Sequence, residues 1–112
     1  MRRLPIRGMP FVRMTQLSKY SPRASTYFKW KYDIQLLSRG YSPKGILNVQ
    51  FIMRIPKSKG RDIGAPHTIK PDLDNLLKAL IDALLPAGDE HLHRINASKI
   101  WGPKDEIILY GD

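Results

Sequence analysis

A run of large apolar residues between two prolines is the feature that most restricts how this chain can fold. Between Pro71 and Pro86, leucine and isoleucine recur at three- and four-residue steps, the spacing of one face of an α-helix. Asp72 is suited to the N-cap, and Pro86 forces the helix to end by about Leu84 or Leu85. The sequence therefore predicts an amphipathic helix that must bury one stripe against a partner surface. The stripe consists of Leu73, Leu76, Leu77, Leu80, Ile81 and Leu84.

The partner surface is predicted to be a small β-sheet. The segment 46–55 alternates apolar and polar residues, with Leu47, Val49, Phe51, Met53 and Ile55 on one face, as in a half-buried strand. Three more strands are expected, at 4–11, 94–101 and 106–110, with a turn at 102–105 before the last.

A first helix is predicted over 25–38, after a polar loop at 12–25. Ser25 is the candidate N-cap, and Gly40 follows the helix. The order β-α-β-α-β-β predicts an α+β fold, sandwich-like, in which two helices cover a mixed sheet of about four strands. The apolar face of this helix carries Tyr27, Trp30, Ile34 and Leu37.

The length of 112 residues predicts one domain over 1–112, and the absence of cysteine excludes disulfides and thiolate chemistry. No apolar run is long enough to span a bilayer, and the start, Met1-Arg2-Arg3, lacks the apolar stretch of a secretory signal. We therefore expect a cytoplasmic protein with no membrane partner and no small-molecule organic cofactor.

The charge is strongly positive and unevenly distributed. The formal net charge is +9, with 15 basic and 2 acidic residues through Lys70 and 4 basic and 8 acidic residues after it. A potential this positive favours a polyanion, of which nucleic acid is the commonest intracellular example. The basic residues do not line one face of a long amphipathic helix, which argues against a membrane surface.

The acidic residues are concentrated where the second helix begins. Asp72 and Asp74 straddle the junction of loop and helix, so both carboxylates can reach one point outside the first turn. Two carboxylates held together repel unless one is protonated or a cation lies between them, and Mg²⁺ accepts carboxylate oxygens while keeping water and phosphate ligands. Asp82 lies about 12 Å along the axis from Asp74, so Asp89 is the candidate third ligand.

A structural interpretation of the same residues remains open. Asp-x-Asp at a helix start is commonly an N-cap followed by an acid favoured by the helix dipole, and Asp74, Lys78 and Asp82 have the spacing of surface ion pairs. The alternative function is then a non-enzymatic DNA-binding module whose acidic cluster is structural. His91 and His93 could bind Zn²⁺, but no third histidine is close in sequence and no His-Glu-x-x-His pattern is present.

Residues 70–84 read Lys-Pro-Asp-Leu-Asp-Asn-Leu-Leu-Lys-Ala-Leu-Ile-Asp-Ala-Leu, which resembles the signature of the RusA-type Holliday junction resolvases. That family has a basic loop, then Asp-Leu-Asp-Asn-Leu, a lysine two positions after that motif, Asp-Ala-Leu, and a downstream Asp-Asp before a strand that carries a lysine. Residues 10–16 are also similar to the Arg-Met-Thr segment of phage and prophage members. Many members have Asp-Asp where this chain has Gly88-Asp89-Glu90, so Glu90 is the alternate third ligand.

The resemblance implies a crossover junction endodeoxyribonuclease that acts in DNA recombination and repair. It implies a homodimer that binds four-way DNA junctions and nicks two strands symmetrically with Mg²⁺, or Mn²⁺ as a substitute. Carried over by position, Asp72, Asp74 and Asp89 would bind one or two metal ions and act in catalysis. Lys78 would be the catalytic lysine.

The basic residues of two loops are the predicted DNA contacts. They are expected to bind backbone phosphates, and some of them are expected to be merely solvated. The dimer interface cannot be identified from the sequence, and Trp30 and Tyr32 are each expected to pack in the core. The predicted DNA-binding residues are Arg13, Lys57, Lys59, Arg61 and Lys70.

Overall fold

The computed structural model of the chain describes residues 1–13, 21–57 and 60–111. Within these residues the order is β-α-β-α-β-β, as predicted. The helices are α1 (Pro22–Leu37) and α2 (Leu73–Leu84), and the strands are β1 (Arg2–Leu4), β2 (Ile46–Arg54), β3 (Arg94–Gly102) and β4 (Glu106–Tyr110).

The four strands form one mixed sheet in the order β1-β4-β2-β3. β2 and β3 are parallel, with Ile46 opposite Arg94 and Arg54 opposite Gly102, whereas β4 runs antiparallel to both β1 and β2. Because α2 connects the two parallel strands, its N-terminus lies towards their carboxyl ends. The fold is therefore α+β, as the sequence predicts.

The two helices pack on one face of the sheet. The predicted inner face of β2 is buried at Leu47, Val49, Phe51 and Met53. The α2 stripe is confirmed: Leu76 and Leu80 are fully buried, and the remaining members are partly buried against the same core. The most buried α1 side chains in this core are Tyr27, Trp30 and Ile34.

The first helix begins earlier than predicted. Its N-cap is Ser21, whose hydroxyl oxygen accepts from the Ala24 N–H at 3.1 Å, and not Ser25. Pro22 occupies the first turn, where a missing N–H costs nothing, so the Ser-Pro pair is the signal that marks this start. Gly40 follows the helix with φ 87°, as expected of a residue beyond a helix end. Leu37, predicted on the apolar face, is 38% exposed.

The first strand also differs from the prediction. It covers only Arg2–Leu4, which pairs with β4, rather than 4–11. Pro5 has no N–H to continue the ladder, so the pairing stops before it. Of the two aromatic residues expected in the core, Trp30 is buried, whereas Tyr32 is 61% exposed.

No helix in the described ranges is both long and apolar enough to cross a membrane.

Candidate functional site

The start of α2 presents two carboxylates. Asp72 occupies the N-cap with extended backbone (φ −67°, ψ 145°), and Asp74 lies in the first turn. The Asp72 side chain makes no capping hydrogen bond. Both residues are exposed, so these carboxylates are accessible to a ligand. The Asp72 carboxylate therefore does not cap α2, although Asp72 occupies the N-cap position.

A lysine on β3 holds the backbone that leads into this helix. The Lys99 ammonium donates to the carbonyl oxygens of Ile69 and Pro71, at 2.5 and 2.6 Å. The Lys70–Pro71 peptide between these carbonyls is cis. Pro71 directly precedes Asp72, so Lys99 fixes the approach to the carboxylate pair from the neighbouring strand.

Asp82 is used to join the two helices. Its carboxylate accepts from the Tyr27 hydroxyl at 3.0 Å and pairs with the Lys31 ammonium at 2.8 Å. Burial, followed by the hydrogen bond to Asp82 and the charge of that carboxylate, raises the pKa of Tyr27 well above its usual range. The spacing of a surface ion pair between Lys78 and Asp82 is therefore not used in this way, because Asp82 pairs with Lys31 on the other helix.

Lys78 lies one turn beyond Asp74 on α2 and is exposed. Its ammonium makes no ion pair with any residue that the structure describes. It lines a hollow of about 310 Å³ together with Phe11, Asp82 and Asp89. Lys78 is thus available to a bound anion.

Asp89 lies towards the opposite end of α2 from the carboxylate pair. It shares the hollow with residues of the second half of the helix, four positions beyond the C-cap Leu85. The helix has 12 residues and is therefore about 18 Å long. Across 1–13, 21–57 and 60–111, the structure brings no three His, Asp or Glu side chains close enough to hold one metal ion. The expected meeting of Asp72, Asp74 and Asp89 thus does not occur within one chain, and His91 and His93 form no three-ligand zinc group there.

A cationic cleft lies where the parallel strands end. It has a volume of about 420 Å³ and includes two of the predicted DNA-binding residues, Lys57 and Lys70. It also includes Arg7 and Arg54, which are not among the predicted DNA contacts. Arg54 ends β2, and the carboxyl ends of parallel strands meet at one edge of a sheet. A prediction that β2 and β3 are parallel could therefore have identified Arg54 as a residue of this cleft.

The aromatic wall of the cleft is formed by His67 and Trp101, whose ring centroids are 4.3 Å apart. The guanidinium of Arg61, a predicted DNA contact, lies 5.5 Å from the centre of the Trp101 ring. His67 is only 5% exposed, and burial together with the charges of Lys99, Arg7 and Arg61 lowers its pKa. Its buried Nδ1 has no hydrogen-bond partner among the described residues.

Two predicted DNA contacts remain. Arg13 is exposed and does not line the cleft. Lys59 lies outside the described residues, as does the 14–16 part of the segment that resembles phage and prophage members.

Fold and site together define a class of protein: a small α+β domain with a carboxylate pair and a cationic cleft at one edge of its sheet. We compared the chain with models of known protein families. The model of the family Endodeoxyribonuclease RusA matches residues 9–109, nearly the whole chain, and the chain belongs to that family. The family consists of endonucleases that resolve Holliday junctions and bind branched DNA. No curated protein and no solved structure matches the chain significantly.

Proposed function

We propose that this chain is a Mg²⁺-dependent, structure-specific endonuclease that resolves Holliday junctions by paired symmetric nicks in recombination and repair. The observation that carries this proposal is the exposed pair Asp72 and Asp74, free of capping bonds, at the sheet edge that also holds the cationic cleft. Cations that bind a nucleic acid beside acids that bind a divalent ion form an arrangement suited to metal-assisted phosphodiester cleavage.

The carboxylate pair fits Mg²⁺, which is commonly bound through one or two carboxylates and keeps its other positions for water and phosphate oxygens. Asp72 and Asp74 would hold Mg²⁺ or Mn²⁺. When bound, such an ion supplies an activated water and stabilises the negative charge of the leaving oxygen. Asp89 is the proposed third ligand and Glu90 its alternate. Because Asp89 lies at the other end of α2, it would reach the pair only after a rearrangement or from a second subunit.

Lys78 is the proposed catalytic lysine. Its ammonium lies one helical turn beyond Asp74 and has no acidic partner among the described residues. It can therefore donate to the non-bridging oxygens of the scissile phosphate as negative charge develops on them. In the same position it can instead orient the attacking water.

The proposed assembly is a homodimer. A four-way junction has two-fold symmetry, and two equivalent active sites related by a two-fold axis would place one nick on each of two opposite strands. Paired nicks then follow from one site in each subunit. The DNA contacts proposed for each subunit are Arg13, Lys57, Lys59, Arg61 and Lys70.

The substitution Asp74→Asn tests this proposal. It removes one negative charge with little change in shape, so we expect junction binding to persist while the cleavage rate falls about a hundredfold or more. Binding is measured by gel shift without divalent metal and cleavage on a labelled junction with Mg²⁺. Asp33→Asn is the matched control, because Asp33 only pairs with Lys29 on the surface of α1.

Cleavage by Asp74→Asn at the wild-type rate would contradict the assignment of this carboxylate. Loss of binding in that variant would instead indicate a structural role. A wild-type protein that binds the junction but cuts no DNA would favour the non-enzymatic module.

A further inference from the structure

The four cations of the cleft at the carboxyl ends of β2 and β3 come from three separate segments of the chain. Arg54 ends β2, Lys57 follows it, Lys70 precedes α2, and Arg7 comes from the segment after β1. The Arg7 backbone is fixed by Trp30, whose indole N–H donates to the Arg7 carbonyl at 2.7 Å. The next residue must be small, because a Cβ on Gly8 would lie 2.9 Å from the Phe51 ring. The position of Arg7 is therefore set by the core.

The four cations of the cleft have no acidic partner within 1–13, 21–57 and 60–111. Ion pairs elsewhere in the described chain neutralise Arg3, Lys29, Lys31 and Lys104. None of the cleft cations makes a side-chain ion pair or hydrogen bond with another described residue. The single carboxylate in the lining, Asp105, accepts from the Arg54 backbone N–H at 2.8 Å. Four positive charges thus converge on about 420 Å³ with one negative charge among them.

The wall behind these cations is aromatic. The His67 ring packs against Trp101, and the backbone of this segment pairs with β3 through the His67 N–H and the Lys99 carbonyl at 3.0 Å. Burial and three nearby cations lower the pKa of His67 and favour its neutral form. The cleft therefore combines cationic side chains with an aromatic surface.

The cleft adjoins the carboxylate pair along the chain. Lys70 lies two residues before Asp72, so their Cα atoms are within about 7.6 Å of each other. Consecutive nucleotides of one DNA strand rise by about 3.4 Å each along the helix axis. A phosphate in the cleft and a phosphate at Asp72 and Asp74 can thus be neighbours, or nearly so, in one strand.

We propose that this cleft is a subsite for a backbone phosphodiester of the cleaved strand, within one or two nucleotides of the scissile phosphate, and that Arg7 and Arg54 bind it together with Lys57 and Lys70. The inference rests on the proposed nuclease function for the identity of the strand. The test of the subsite measures DNA binding without cleavage, so the subsite and the nuclease function can fail independently.

The test compares two double substitutions with the same change in charge. Arg7→Gln with Arg54→Gln removes two cleft cations, and Lys44→Gln with Arg94→Gln removes two exposed cations at the opposite ends of β2 and β3. Binding to a four-way junction is measured without divalent metal over a series of KCl concentrations. Each phosphate contact contributes about 0.9 to the slope of log K against log salt.

We expect the cleft variant to bind the junction more weakly and to lower the magnitude of that slope by about one, because the cleft holds one phosphodiester, while the control pair changes the slope by much less. An unchanged slope in the cleft variant, or an equal loss in the control, would overturn the subsite. Both cleft arginines are exposed, and each single variant gives the same reading if the double variant does not fold.

A second arm separates a strand phosphate from a free anion. The Trp101 indole and His67 ring resonances are followed by NMR while a short single-stranded oligonucleotide, or inorganic phosphate alone, is added. The subsite predicts saturating shifts with the oligonucleotide at far lower concentration than with phosphate. Equal saturation by both would overturn a strand-specific site. A wild-type protein that binds the junction but never cuts it would refute the nuclease function. The cleft would then stand as a site for a backbone phosphodiester, and its relation to a scissile phosphate would be overturned.

Discussion

At the residue scale, His67 combines burial with positive surroundings. Its ring contacts Trp101, and the cations that lower its pKa come from the segment after β1 (Arg7), the loop after β2 (Arg61) and β3 (Lys99). In the unfolded chain the same imidazole takes up a proton near its ordinary pKa of 6.5. The unfolded state therefore binds more protons than the folded state as the pH falls below that value.

This difference predicts a pH dependence of stability. The contribution of His67 to the free energy of unfolding is fully present above about pH 6.5. It is lost as the pH falls from there towards the lowered pKa of His67 in the folded state. One proton of difference changes the free energy of unfolding by at most about 1.4 kcal/mol per pH unit. Urea unfolding at a series of pH values measures the slope.

The substitution His67→Phe keeps a ring against Trp101 and removes the titrating group. We therefore expect the free energy of unfolding of this variant to fall less than that of the wild type between neutral and mildly acidic pH. His91→Gln, at an exposed histidine, is the control and should follow the wild-type curve. Parallel curves for wild type and His67→Phe would show that His67 does not titrate with a lowered pKa.

Single residues mark where prediction from the sequence succeeds and where it stops. The exposure of Asp72 and Asp74 follows from their place at a helix start opposite an apolar stripe, which is local information. The partners of Asp82 do not, because Tyr27 and Lys31 lie on the other helix and meet it only when the two helices pack. Spacing along one helix therefore suggested Lys78 as the partner, whereas the tertiary contact is with Lys31.

At the scale of elements, the start of α2 depends on β3. Lys99 reaches from the strand to the carbonyls of Ile69 and Pro71, and Asp72 follows directly. Hydrogen bonds from a charged group contribute about 1.5 to 3 kcal/mol each, more than most neutral ones. The strand thus fixes the backbone on which the carboxylate pair stands.

Lys99→Met keeps the length of the side chain and removes both bonds. Because displacements of about 1 Å can reduce catalysis a hundredfold, we expect junction cleavage to fall tenfold or more. We expect junction affinity to change little, and Lys104→Met, at an exposed lysine outside this contact, to cut normally. Cleavage by Lys99→Met at the wild-type rate, measured on a labelled junction with Mg²⁺, would show that this contact does not position the site.

Element boundaries were predictable where a strong local signal was used. The α2 stripe and the alternation of β2 each bury a continuous face, so their periods identified both elements. The start of α1 was missed because apolar spacing identifies a face and not a terminus, and the capping pair Ser21 and Pro22 carried that information. The first strand was misplaced because apolar residues after Pro5 suggested a strand, whereas the ladder bonds lie before it.

At the scale of the whole molecule, the uneven charge of the sequence becomes a spatial arrangement. Basic residues from segments far apart in the chain converge at the sheet edge where the acids of α2 begin. Composition alone predicts a polyanion as the partner, but not the cleft, because Arg7 and Arg54 are 47 positions apart and meet only through the sheet topology. Whether Asp72, Asp74 and Asp89 meet likewise depends on where the chain lies after α2, which is a property of the folded molecule and not of residue spacing.

Cleavage of a four-way junction by the wild-type protein is the sharpest test of the proposed nuclease function. Each strand carries a differently labelled 5′ end, and the junction is incubated in the presence and absence of Mg²⁺. We predict Mg²⁺-dependent nicks at symmetry-related positions on two opposite strands, and intact strands when the metal is omitted. A protein that binds this junction tightly and leaves all four strands uncut with Mg²⁺ or Mn²⁺ would contradict the central claim that the carboxylates at the start of α2 serve DNA cleavage.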